Sequence, residues 1–182
     1  MRVILSIIFF LNLNFSFSQS VTNKLKSFNS FKAGEKLEYK LQYGFLNASY
    51  ASLTLKEDLV NNKKVLRATS IGRTTGLARL FFKVDDTYET FFSFDKVQPL
   101  KSIRDIYEGG YVRNAETLYD YNSNTAFFHD KIKNIKKEFK IHPEIQDIIS
   151  TFYYLRKHFD ISSLKPNDCL LYTSPSPRDR IS

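Results

Sequence analysis

The chain has 182 residues and a formal net charge of +8, with 27 Lys and Arg against 19 Asp and Glu. It contains 17 Phe and 11 Tyr, no Trp and one cysteine, Cys169. The length suits one domain with one core. A lone cysteine excludes an intrachain disulfide framework, so the stability of this domain has to come from packing.

The N-terminus has the pattern of a secretory signal peptide. Arg2 precedes an apolar run from Val3 to Phe17, and the small residues Ser16 and Ser18 stand where a signal peptidase reads. The run is shorter than the ~20 apolar residues of a membrane helix. We therefore predict a signal peptide over residues 1–18, export, and no transmembrane segment after cleavage.

The C-terminus differs in composition from the rest of the chain. The run CLLYTSPSPRD is one translation of the transposase-end adapter used in shotgun sequencing libraries, although Ser/Pro/Arg runs also occur in natural linkers. We interpret residues 169–182 as a non-native, adapter-derived tail and leave them out of the fold prediction. The predicted domain is then residues 19–168, incomplete at its C-terminus.

Alternation of apolar and polar residues predicts an antiparallel sheet. In the first predicted strand Leu37, Tyr39, Leu41 and Tyr43 share one face. Turn residues separate the predicted strands at hairpin-like intervals, including the pair Gly109-Gly110. The predicted strands cover about residues 36–43, 48–58, 64–72, 84–92, 100–107, 111–121, 126–132 and 135–141.

Two segments have helical spacing instead. Leu77, Leu80 and Phe81 predict a short helix near residues 75–82 that caps one end of the sheet. An apolar stripe with spacings of three and four predicts an amphipathic helix that covers one face, and it consists of Ile145, Ile148, Ile149, Phe152, Leu155 and Phe159. Pro143 and Glu144 suit a first helical turn, so the predicted helix spans 143–159. The predicted fold is mainly β: a curved antiparallel sheet or partly open barrel of about eight strands with one C-terminal helix.

Several stretches resemble the bacterial envelope family known as domain of unknown function 3108. They are FKAGEKLEYKLQYGFLNASYASL, IGRTTGLARLFFKVDDTYETFF, PLKSIRDIYEGGY and DIISTFYYLRKH, within residues 31–168. The resemblance implies an exported, mostly antiparallel β-protein without an assigned activity, typical of Gram-negative bacteria and common in the Bacteroidota. It implies a periplasmic or outer-membrane-associated location and further strands after the helix.

The sequence offers little for catalysis. His129, His142 and His158 are spread along the chain without an HxH, HExxH or His/carboxylate cluster, and neither Gly-x-Ser-x-Gly nor a phosphate loop occurs. We predict no metal, no cofactor and no enzymatic activity.

The basic run KIKNIKKEFK alternates with Ile135, Phe139 and Ile141, which is typical of the solvated face of a strand. Export also argues against nucleic acid as a partner. Weak attraction to anionic envelope surfaces, and hence peripheral membrane association, remains open.

Two functions from different classes remain. The first is a binding or carrier module whose concave face holds a lipid-like or other apolar envelope molecule, with Tyr39, Tyr43, Tyr88 and Tyr119 as candidate contacts. The second is an interaction protein of envelope assembly. Arg104, Asp105, Glu108, Asp147 and Arg156 are candidate structural or functional charges. Asp147 and Arg156 are too far apart to pair within one helix, so each needs a partner from the sheet.

Overall fold

The computed structural model describes residues 30–44 and 46–159, and the predicted signal peptide and adapter-derived tail lie outside them. Eight strands form one open sheet in chain order, and every neighbouring pair is antiparallel. The mainly β prediction is confirmed. The strands are β1 (Lys36–Tyr43), β2 (Leu46–Val60), β3 (Lys63–Thr74), β4 (Val84–Phe92), β5 (Pro99–Glu108), β6 (Tyr111–Asp120), β7 (Thr125–Asp130) and β8 (Ile135–Lys140).

Two tight turns explain why consecutive strands pair. Asn61 and Asn62 join β2 to β3 with φ angles of 49° and 60°, and Gly109 and Gly110 join β5 to β6 with 54° and 96°. Positive φ at both central residues is what a two-residue hairpin turn needs. A Cβ on Gly109 would clash with the exposed ring of Phe82, which would have to shift, and the positive φ angle also disfavours larger residues at this position.

The pairing register divides the side chains between two faces, because residues directly opposite each other on neighbouring strands point the same way. Leu55 lies opposite Ala68, and Ala68 lies opposite Thr90. Thr90 in turn lies opposite Ser102. We call the face with these residues the inner face and the other the outer face.

The C-terminal helix α2 runs over Ile148–His158 and not from residue 143 as predicted. Asp147 is its N-cap: its carboxylate accepts hydrogen bonds from the backbone N–H groups of Ile149 and Ser150, and the Ser150 hydroxyl accepts one from the N–H of Asp147. This capping box fixes the first turn. Pro143 and Glu144, from which the helix start was predicted, lie in the preceding turn instead, so the predicted start was too early.

The core lies where α2 packs on β3 and β4. Tyr153 has no exposed surface and its ring contacts Phe92 and Phe31, at centroid distances of 5.3 and 4.9 Å. The core cluster consists of Leu53, Leu55, Leu66, Ala68, Phe92, Val97, Ile149 and Tyr153. The predicted helix stripe omitted Tyr153 and included Ile148, which is 68% exposed.

A bidentate ion pair ties the end of α2 to the segment before β1. Arg156 donates from its two terminal nitrogens to the two carboxylate oxygens of Glu35, at 2.6 and 2.8 Å, and also to the carbonyl of Ser30 at 2.6 Å. Its guanidinium lies over the rings of Phe31, Phe152 and Tyr153. The planar guanidinium forms two parallel hydrogen bonds with the carboxylate and also contacts three rings, so the geometry of this pair is specific. We call it the Glu35–Arg156 clamp.

The short helix α1 (Gly76–Phe81) is confirmed, but it buries none of its residues. It lies at one end of the sheet beside β2, but Leu77, Leu80 and Phe81 are 55, 80 and 88% exposed, so these apolar residues do not pack on the described part of the sheet. The apolar face of β1 is also open toward its end, where Tyr39 and Leu41 are 51 and 65% exposed. Both segments extend past the region that α2 covers.

The Glu35–Arg156 clamp gives the first prediction. Glu35→Gln removes the carboxylate but keeps the shape, so it should lower the free energy of unfolding by about 2 kcal/mol, the usual contribution of hydrogen bonds to charged groups in a largely buried site. Urea denaturation measures it. Glu38→Gln is the matched control because the Lys36–Glu38 pair is half exposed and should contribute little. Equal effects of the two variants would contradict the clamp.

The second prediction concerns the N-cap. Asp147→Ala should destabilise the protein by about 1–2 kcal/mol, because two backbone N–H groups lose their acceptor. Asp147→Asn should retain most of the stability, since asparagine is an equally good cap. Thermal unfolding of the two variants tests this, and an Asn variant as unstable as the Ala variant would argue against the capping role.

Candidate functional site

A cluster of charged and phenolic side chains lies on the inner face beside α2. Tyr88 on β4 is directly opposite Arg104 on β5, and Asp86 is opposite Ile106. Arg113 on β6 is also opposite Ile106 and therefore lies diagonally from Arg104. The sheet thus brings together two of the sequence-predicted residues, Tyr88 and Arg104, with two that sequence reasoning did not single out, Asp86 and Arg113.

The charged side chains of this cluster are close enough to Tyr88 to shift the pKa of its phenol. Burial raises the pKa of its phenol, and the negative charges of Asp86 and Glu108 raise it further, while Arg104 and Arg113 act in the opposite direction. All four charges therefore lie within electrostatic reach of one hydroxyl. The predicted residue Glu108 belongs to the same cluster, at the β5 end.

Most of these charges have partners. Asp86 is 8% exposed and accepts a hydrogen bond from the backbone N–H of Tyr107 at 3.1 Å. Burial raises the pKa of Asp86, and the adjacent Glu108 carboxylate raises it further. Arg113 lies 3.8 Å from an oxygen of Asp130 and its guanidinium lies over the ring of Phe128.

Arg104 is different. Within residues 30–44 and 46–159, its guanidinium forms no hydrogen bond and no ion pair. The other partly buried arginines of that region, Arg67, Arg79, Arg113 and Arg156, each have a carboxylate within 4 Å. A partly buried cation loses some of its hydration, and without a carboxylate partner this desolvation cost is not compensated. Arg104 is therefore a candidate ligand contact.

The space between this cluster and the first turn of α2 is almost full. Tyr88, Thr90, Ser102, Arg104, Asp147 and Ile149 line a recess of about 10 Å³. The hydroxyl oxygen of Thr90 lies 3.0 Å from each oxygen of the Asp147 carboxylate, so α2 is fastened to β4 here. This recess has room for about one water molecule and not for an acyl chain.

Beyond α2, the inner face is uncovered by any described element. Tyr119 on β6, Phe128 on β7 and Phe139 on β8 lie on this face at partly exposed positions around Ala126, which is opposite both Tyr119 and Phe139. Tyr119 also lies 3.3 Å from the hydroxyl of Ser102. An aromatic strip therefore leads from the Arg104 cluster to the β8 edge.

The remaining predicted site residues lie apart from this cluster. Tyr39 is on β1, at the opposite end of the strand order, and the side chain of Tyr43 lies outside the described part of the chain. Asp105 is exposed and on the outer face, opposite Thr87 and Asn114. Asp147 and Arg156 hold the two ends of α2 through Thr90 and Glu35.

The outer face carries a shallow hollow of about 410 Å³ over β6, β7 and β8. Leu118 and Phe127 lie opposite each other at its centre, and each is 45% exposed. Glu116, His129, Lys136 and Glu138 form a charged rim. An exposed apolar pair with a charged rim is the usual composition of a protein contact surface.

The histidines do not form a site in the part of the chain that the structure describes, where no group of three or more potential metal ligands occurs. His158 stacks on Tyr154 at the end of α2, with ring centroids 4.5 Å apart. Burial lowers the pKa of His158, and the charge of the neighbouring Lys157 lowers it further. None of the described helices is long and apolar enough to cross a membrane.

Glu116, at the rim of the hollow, gives a prediction about pH. Burial by itself would raise the pKa of Glu116, but hydrogen bonds from Lys131 and Lys101 outweigh this and hold it below its ordinary value of 4.5. A lowered pKa in the folded state adds stability above pH 4.5 that disappears as the pH falls through the folded-state pKa.

Glu116→Gln should therefore be less stable than the wild type at pH 7 and close to it at pH 2–3, measured by urea denaturation across that range. A constant difference in the free energy of unfolding at all pH values would contradict this assignment.

The comparisons with known proteins bear on the family and not on the activity. No curated protein and no solved structure matches the chain. A family model described as a protein of unknown function (DUF3108) matches residues 38–173, which includes most of β1, the other seven strands and α2. The chain therefore belongs to the family of proteins of unknown function DUF3108.

Proposed function

We propose that this domain is a non-catalytic binding module of the cell envelope that carries a lipid-like or other apolar molecule on the uncovered inner face of its sheet. The single observation that carries the proposal is the aromatic strip of Tyr119, Phe128 and Phe139, which α2 leaves open. Partly exposed aromatic rings beside a few polar groups are the usual lining of a ligand site.

The position of α2 supports a site beside the helix and not beneath it. The recess under its first turn is about 10 Å³, while a drug-sized or lipid-like molecule needs a site of ~300 Å³ or more. The ligand would therefore lie along β5–β8, with Tyr88 and Tyr119 nearest to the helix. Burying an acyl chain there contributes about 0.8 kcal/mol per CH₂ before ordering costs.

The export predicted from residues 1–18 supports an envelope location. A periplasmic or outer-membrane-associated domain meets lipids and their precursors, and a net positive chain is attracted to anionic membrane surfaces. Peripheral association with such a surface is part of the proposal.

A second candidate is an interaction role in envelope assembly. The observation that favours it is the outer-face hollow with Leu118 and Phe127 at its centre. In this alternative the inner-face aromatic residues are core against strands that follow α2, and the outer face contacts a protein partner.

One experiment separates the two. The full-length protein, purified gently from its own envelope, should retain a small apolar molecule visible by native mass spectrometry. Phe139→Lys should release it, because a charged side chain in the aromatic strip disfavours an apolar group there, while Phe127→Lys at a similarly exposed position on the outer face should leave it bound. Circular dichroism and export assays show whether each variant still folds and is secreted.

The opposite pattern would favour the second candidate. If the wild type carries no small molecule and Phe127→Lys instead abolishes crosslinking to an envelope protein, the carrier proposal fails. A ligand that both variants retain would place the binding site elsewhere.

A further inference from the structure

The inner-face arginines point to the chemistry of the ligand's polar end. Arg104 and Arg113 lie on neighbouring strands at a diagonal spacing, for which Cα atoms are ~7–8 Å apart. Two long side chains at this spacing can converge on one group, and both already act on the hydroxyl of Tyr88.

Both guanidinium groups have unused donors. Arg104 has no hydrogen-bond or ion-pair partner among residues 30–44 and 46–159. In that same region, the buried Nε of Arg113 forms no hydrogen bond, since the Asp130 oxygen at 3.8 Å is too far away. The terminal nitrogens of Arg113 form no hydrogen bond there either, so an anion that reaches these nitrogens and the guanidinium of Arg104 would supply the missing acceptors.

The carboxylates near Arg104 have other partners in the described part of the chain. Asp86 directs one oxygen to the backbone N–H of Tyr107, and Asp147 accepts from Ile149, Ser150 and Thr90. Asp130 directs one oxygen to the N–H groups of Ile132 and Lys133 and the other toward Nε of Arg113. Arg104 and the terminal nitrogens of Arg113 therefore remain available to a further anion.

We propose that Arg104 and Arg113 bind the phosphate or carboxylate group of an amphipathic molecule whose apolar part lies on the Tyr119, Phe128 and Phe139 strip. This inference rests on the proposed carrier function and adds the class of ligand. Guanidinium groups pair with the oxygens of phosphate and carboxylate in a planar fork, and Tyr88 is placed to donate a further hydrogen bond. The strip begins at Phe128, whose ring already lies under Arg113.

Four probes test the assignment on the full chain by isothermal titration calorimetry below the micelle concentration: decyl phosphate, decanol, decyltrimethylammonium and inorganic phosphate. Decyl phosphate should bind at least about tenfold more tightly than the other three, because only it supplies both the anion and the chain.

Arg104→Gln should weaken decyl phosphate binding by about tenfold and leave decanol binding unchanged, whereas Arg104→Lys should lose less because it keeps the charge without the fork. Arg73→Gln is the matched control, since Arg73 is an exposed arginine on the outer face. Arg113→Gln serves as an independent second variant. Thermal unfolding shows that each variant is folded.

The outcomes distinguish this inference from the carrier function. Decanol or decyltrimethylammonium binding as tightly as decyl phosphate, with no effect of Arg104→Gln, would overturn the anionic assignment and leave the carrier function standing. Inorganic phosphate binding as tightly as decyl phosphate would overturn the amphipathic ligand and indicate a site for a free anion. No binding of any decyl probe would overturn both proposals.

Discussion

The single C-terminal helix α2 is much smaller than the sheet face on which it packs. The rest of the structure depends on this difference in size. Seven interstrand spacings make the sheet ~34 Å wide. The eleven residues of α2 form a cylinder ~16 Å long and about 10 Å across. Wherever it lies, this helix covers less than half of the inner face. It covers β3 and β4, and the core is confined to that region.

The position of the helix is determined at both ends by polar contacts and not only by apolar burial. Asp147 joins the first turn to Thr90 on β4, and Arg156 joins the last turn to Glu35 just before β1. Tyr153 lies between them with no exposed surface. Two polar contacts about two turns apart leave the helix little freedom to slide, so the boundary between covered and uncovered sheet is well defined. The aromatic strip and the Arg104 cluster lie just beyond that boundary.

The cationic side chains have different partners on the two faces of the sheet. On the outer face, Arg67 on β3 and Lys101 on β5 both lie over the ring of Phe91, and the Glu116 carboxylate pairs with Lys101 and Lys131. On the inner face, Arg113 covers Phe128, but Arg104 covers no ring and pairs with no carboxylate in the described part of the chain. That asymmetry is the physical reason for proposing a ligand site on the inner face.

The class of fold, the approximate strand segments and the family could be predicted from the sequence. Alternation in segments such as KLEYKLQY is local, and Gly109-Gly110 sets the β5–β6 turn within two residues, so both can be read directly. The start of α2 was predicted too early because Pro143 and Glu144 suit a first helical turn, whereas the capping box depends on the side chains of Asp147 and Ser150. Only the tertiary structure decided which alternating face is covered, that Tyr153 and not Ile148 enters the core, and that Asp86, Tyr88, Arg104 and Arg113 meet. The reason is that a residue's neighbours along a strand are local, but its neighbours across strands depend on register and on where the single helix packs.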